Sequence, residues 1–82
     1  MSTVMQLKEE LARLKQKKIE LSLSADASIK AAKELLATSS ITPLHEIDLQ
    51  TAALHLEHAI KDQAWLATVL ADIRKIEREL GI

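Results

Sequence analysis

The residues of this chain best placed to do chemistry are Asp48, His55, His58 and Asp62. On a helix advancing about 100° per residue they fall within about 80° of one another. Histidines three apart on one helical face can share a metal ion, with nearby carboxylates completing the shell. The spacing matches neither a Glu-x-x-His nor a His-Glu-x-x-His pattern. A solvated polar face with a His58–Asp62 pair at i, i+4 accounts for it equally well, so no metal ligands are assigned. His45, near the start of its expected helix, reads as surface. Serines stand at positions 2, 22, 24, 28, 39 and 40, none of them in a nucleophile turn, and Gly81 is the only glycine, which rules out a glycine-rich phosphate loop. Adjacent carboxylates such as Glu9-Glu10 belong to a charged, exposed helix. No catalytic residue, cofactor or enzymatic activity is expected.

Charge narrows the partners. The chain has 11 Lys and Arg against 12 Asp and Glu, a formal net charge of -1. A sequence-independent nucleic-acid binder normally carries a basic excess to neutralise phosphates. The one basic cluster, Arg13, Lys15, Lys17 and Lys18, is flanked by Glu9, Glu10 and Glu20 and has no adjacent aromatic on which a base would stack. It reads as the solvated face of a long helix. Cysteine is absent, which excludes disulfides and thiolate chemistry and allows a reducing compartment. Charge arrives at Lys8, too early for a secretory signal. The longest uncharged runs, Leu35–Leu44 and Gln63–Ala71, are too short to span a bilayer. The expectation is a soluble cytoplasmic protein that binds neither nucleic acid nor membrane.

The elements that must position these residues are helices. Of the 82 residues 48% are hydrophobic and only 1% aromatic, Trp65 being the single case. Leucine, isoleucine and alanine are the residues of helix seams. Pro43 is the only proline, so one punctuation mark, Thr38-Ser39-Ser40-Ile41-Thr42-Pro43, divides two helical patterns. The expected fold is an all-α antiparallel helical hairpin forming a single domain over 1–82, with a helix over about 4–38, a turn over 39–42 and a helix over about 43–80.

Thr3 and Gln6 have the spacing of a capping box for the first helix. Its seam reads Val4, Leu7, Leu11, Leu14, Leu21, Ala25, Ile29, Ala32 and Leu36, interrupted by Lys18. Leucines at 7, 14 and 21 resemble a zipper, but Ser28 ends the run. Ser22–Ser24 is a weak spot where the helix could kink, although one continuous helix is the favoured reading. Thr42 as N-cap with Pro43 at the first helical position predicts the second start. The second seam is expected at Leu49, Ala52, Leu56, Ala59, Gln63, Leu66, Leu70, Ile73, Glu77 and Leu80, closed by Gly81.

A second apolar stripe remains on each arm: Met5, Ala12, Ile19, Leu23 and Ala27 on the first, and Ile47, Leu54, Trp65, Val69 and Ile76 on the second. Burying one such side chain is worth about 1.5–3 kcal/mol, so a row of them left in water marks an interface. Met5, Ile19, Leu23, Ile47, Leu54, Trp65, Val69 and Ile76 are accordingly the candidate partner-binding residues. Two outcomes stay open. Either α-helical fold-back at Ser22–Ser24 makes both stripes the core of a three-helix bundle, or the stripes bind a partner. That partner is a different protein or a second copy in a homo-oligomer, such as a coiled-coil dimer acting as an adaptor or inhibitor.

The stretch Leu49-Gln50-Thr51-Ala52-Ala53-Leu54-His55-Leu56-Glu57-His58-Ala59-Ile60, above all Leu56-Glu57-x-Ala59-Ile60, resembles the second-helix segment of the small helical co-chaperones of type III secretion needle subunits. The opening Ser2-Thr3-Val4-Met5-Gln6-Leu7-Lys8-Glu9-Glu10-Leu11 is similar in character to theirs. The resemblance implies a non-catalytic role. The hairpin would lay an apolar face on a larger, tetratricopeptide-like chaperone, which holds the needle subunit monomeric in the cytoplasm. It implies no cofactor or metal. The charged tail Arg74-Lys75-Ile76-Glu77-Arg78-Glu79 runs longer than that family implies.

Overall fold

The computed structural model describes residues 3–37 and 41–82. It is an all-α helical hairpin: α1 (Val4–Leu36), a single 3-10 turn (Leu44–Glu46) and α2 (Leu49–Leu80), with no strand among the described residues. The Thr3 hydroxyl accepts from the Gln6 N–H at 3.1 Å and the Gln6 side chain accepts from the Thr3 N–H at 2.9 Å, the reciprocal capping box that the sequence predicts. α1 runs through Ser22–Ser24 without a break. There the Ser22 hydroxyl donates to the Lys18 carbonyl at 2.9 Å. The serine bonds back inside the helix instead of competing for a new cap, so the arm does not fold back and no third helix forms.

The second start differs from expectation. Pro43 is extended (φ -56°, ψ 143°) and leads only into the 3-10 turn, while Asp48 caps α2. Its carboxylate accepts from the Thr51 N–H at 2.9 Å and from the Thr51 hydroxyl at 2.7 Å. A carboxylate with two donors, one a free first-turn amide, outcompetes a threonine cap. These same bonds hold the Asp48 carboxyl below its ordinary value of 3.8, the hydroxyl first and the amide second. A lowered folded value means that the cap contributes fully above the unfolded pKa and is lost as pH falls through the folded one. Asp48→Ala should therefore lower the melting temperature at neutral pH and change little at about pH 2, as followed by helical circular dichroism.

The expected end of the first helix at Thr38 and half of the expected turn, Ser39 and Ser40, lie outside the described residues. At the far end Gly81 takes the left-handed conformation (φ 77°), and the Ile82 N–H reaches the Glu77 carbonyl at 2.9 Å. Only glycine enters this region without a steric penalty.

The molecule is a rod of 60 × 15 × 14 Å with a radius of gyration of 18.4 Å. A compact chain of 82 residues would have about 12 Å. Two contacts between the arms fix the register, Lys17 against Trp65 and Ser24 against His58, one heptad apart on each helix and running in opposite directions. The core is lopsided along this rod. Its large side chains, Leu11, Leu14, Leu21, Val69, Ile73 and Ile76, all lie toward the open end, with Leu7, Leu66 and Leu80 packed partly against them. Toward the turn the buried positions are Ser28, Ala32, Ala52, Ala59 and Asp62.

That pattern rotates the second seam away from the expected one. In the C-terminal half of α2, Val69 and Ile76 are more apolar than the row Gln63, Leu70 and Glu77 beside them, so they turn inward. A straight helix carries its rows along, and Asp62 is drawn inward too. Leu49 and Leu56, expected in the seam, stay exposed.

Candidate functional site

Asp48, His55, His58 and Asp62 do not form one patch. Asp48 is committed to the cap, and His55 is half-buried. His58 lies 3.5 Å from the Asp62 carboxylate and 3.2 Å from the Ser24 hydroxyl across the hairpin. A hydroxyl, an imidazole and a carboxylate are thus in contact. Both neighbours, however, approach the same ring nitrogen, Nε2. A proton relay needs the hydroxyl on one nitrogen and the carboxylate on the other, so this trio positions side chains without passing a proton between them. No group of three His, Cys, Asp or Glu among the described residues is arranged to hold a metal ion.

The reading of this region as a solvated face needs correction at Asp62. Its side chain is only 10% exposed. Although Oδ2 is within ion-pair distance of His58, it has no hydrogen-bond partner. A buried carboxylate oxygen left unpaired costs stability, and it sits in a seam position where a leucine would be expected.

The apolar residues displaced by this rotation gather elsewhere. Ile29 of α1 and Leu56, Ile60 and Leu66 of α2 line a groove along one side of the rod, floored by Ala25 and Ala59 and edged by Asp26, Asp62 and Gln63. Ile60 is 61% exposed, Leu56 42% and Ile29 37%. On α2, Leu56, Ile60 and Gln63 stand at i, i+4 and i+7, which is one face of a helix. The turn-proximal half of the hairpin therefore keeps alanine, serine and aspartate inside and large aliphatic side chains outside.

The eight candidate partner-binding residues divide three ways. Met5, Ile19, Leu23, Leu54 and Trp65 are exposed, and Ile47 is half-buried at the entry to α2. Val69 and Ile76 are corrected: at 3% and 7% exposure they are core. Trp65 does not face the groove. It lines a separate hollow with Leu14, Lys17 and Asp72, sharing no residue with the groove, and the Lys17 ammonium sits 4.0 Å from its ring centroid. At such an exposed site this cation–π contact is worth about 0.5–1 kcal/mol. The basic cluster is otherwise in solvent, with Arg13 3.4 Å from Glu10 and Lys17 4.0 Å from Glu20.

Ile60 belongs to neither stripe that the spacing predicts, and the spacing puts Ile29, Leu49 and Leu56 in the seam. One signal could have found them. The apolar residues of α2 change heptad row midway, from Leu49 and Leu56 in one row to Val69 and Ile76 in the next. A helix can bury only one of these rows against a single neighbour.

The arrangement is suited to covering by another helical surface. No helix among the described residues is long and apolar enough to cross a membrane. Compared with known proteins, the chain matches no family model, no curated protein and no solved structure.

Proposed function

We propose that this chain is a non-catalytic protein-binding module, a helical-hairpin co-chaperone of the kind the needle-subunit co-chaperones exemplify. It lays the Ile29, Leu56, Ile60 and Leu66 face on a larger helical chaperone in the cytoplasm and so helps that chaperone keep a polymerising secreted subunit monomeric. The observation that carries this reading is the inversion in the turn-proximal half, where Ala52, Ala59 and Asp62 are buried while Leu56 and Ile60 are exposed. Each large aliphatic side chain left in water forgoes about 1.5–3 kcal/mol. A surface of this kind makes thermodynamic sense when a partner covers it, and the partner then stabilises the hairpin by mass action.

A photocrosslinking amino acid at Ile60, with the exposed Asp72 of the separate Trp65 hollow as control, tests this in the native cell. The expected result is an adduct with a larger helical-repeat protein from Ile60 and not from Asp72. Equal labelling from both positions, or none from Ile60, would sink the proposal.

A further inference from the structure

The surface of the rod is larger than its mass warrants. The chain exposes 6318 Å², whereas a compact monomer of 9.1 kDa exposes about 4,900 Å². A stable interface covers about 800 Å² on each partner, close to the roughly 900 Å² of one 60 × 15 Å side of this rod. One face laid against an equal face would cover the greater part of this excess on each chain.

Charge along the groove face says how an equal face would lie. Lys8, Lys15, Ser22 and Ile29 recur every seven residues on the unbroken α1, and Met5, Ala12, Ile19, Asp26 and, beyond the groove, Lys33 form the row beside them. Both rows therefore run along the groove side of the rod. At the open end Lys8 and Lys15 line a hollow with Val4 and Ala12. In the groove itself the charged side chains are Asp26 and Asp62, with no basic residue. A face that is basic at one end and acidic in its groove complements itself only when a second copy is turned end for end.

We propose that in the isolated protein the groove face is covered by a second copy of this chain, packed antiparallel about a two-fold axis near Ile19 to form a four-helix bundle. The proposal rests on reading this face as an interface and names its occupant when no other protein is present. The register set by Lys17–Trp65 and Ser24–His58 places Leu56 level with Asp26 and Leu49 level with Lys33. About an axis at Ile19 like helices face each other, and Ile60 and Leu56 of one copy then lie over Leu66 and Leu70 of the other. Asp26 of each copy falls between Lys8 and Lys15 of the other. An isologous interface makes each such contact twice. Trp65 stays outside it.

Sedimentation equilibrium over a dilution series tests the association, with circular dichroism as the check on folding. Wild type should have twice the chain mass. Ile60→Glu, at an exposed position, should be a helical monomer. Asp26→Lys should weaken association by about tenfold or more, since the attraction it reverses is made twice across the two-fold. Adding Lys8→Glu and Lys15→Glu to Asp26→Lys should restore it. The direction is read from a Met5→Cys/Lys33→Cys double variant in this cysteine-free chain. By the helical rise these sites are roughly 40 Å apart within one molecule, so an intermolecular Met5→Cys to Lys33→Cys disulfide reports an antiparallel pair.

A wild type monomeric at every concentration would overturn the proposal. So would a dimer that survives Ile60→Glu, or one that forms no such disulfide. A monomeric wild type whose Ile60 still labels a different protein would remove the dimer and leave the co-chaperone reading standing. A dimer with no heterologous adduct would do the reverse.

Discussion

Leu21→Ala should lower the stability of the hairpin by about 2–5 kcal/mol, the range for truncating a buried leucine. Leu21 is 4% exposed and is the last large apolar side chain of the α1 core before the turn-proximal half begins. At about 0.05–0.15 kcal/mol per residue, a chain of 82 residues has roughly 4–12 kcal/mol in all. The low end applies to a two-layer rod, in which no large side chain among those described reaches complete burial. The substitution should therefore unfold a substantial fraction of the protein at room temperature, visible as lost ellipticity and a much earlier urea midpoint. Leu23→Ala, two residues on at a site 64% exposed, should leave the midpoint nearly unchanged. Equal effects at the two sites would contradict the seam described above.

Asp62→Leu should act in the opposite direction and raise stability by about 1–3 kcal/mol, the cost of leaving a buried polar group unpaired. The side chain is nine-tenths buried with Oδ2 unsatisfied, and its neighbours along the same row, Val69 and Ile76, are apolar. At about 4–8 °C per kcal/mol for a domain of this size, the melting temperature should rise clearly. Losing the 3.5 Å approach to His58 offsets little, because the His58 side chain is 58% exposed and such pairs contribute about 0–1 kcal/mol. Asp62→Asn separates charge from polarity, since it keeps the shape and still lacks a full set of partners. A melting temperature lowered by Asp62→Leu would show that the carboxylate is satisfied in solution.

Much of the architecture was legible because local chemistry and global shape agree. Thr3 with Gln6 caps one helix, Gly81 stops the other, and a single proline between two periodic stretches leaves room for one reversal. Leu11, Leu14 and Leu21 were legible as core because leucines recur in that row at three- and four-residue spacing, whereas the opposite stripe of Met5, Ala12, Ile19 and Leu23 is sparser. α2 was harder to read. Two adjacent rows compete there, and the choice between Leu70 and Val69 is made by fit against α1, which periodicity within α2 does not contain. That choice moved Val69 and Ile76 from the candidate surface into the core and brought Ile60 and Leu56 to the candidate surface. The start of α2 was missed for a similar reason. Thr42-Pro43 has the right residue types, but Asp48 has Thr51 three residues on, and a doubly bonded carboxylate wins over a signal read one residue at a time.

The shape of the rod bears on how the protein behaves in flow. With a length about four times its width, a single hairpin meets more frictional drag than a sphere of equal mass. It should leave a gel-filtration column early, at a position a globular standard would assign to something heavier. Two hairpins laid side by side along their full length would double the mass and widen the particle while lengthening it little. Their axial ratio would fall, and the elution shift between one chain and two would be smaller than the mass ratio suggests.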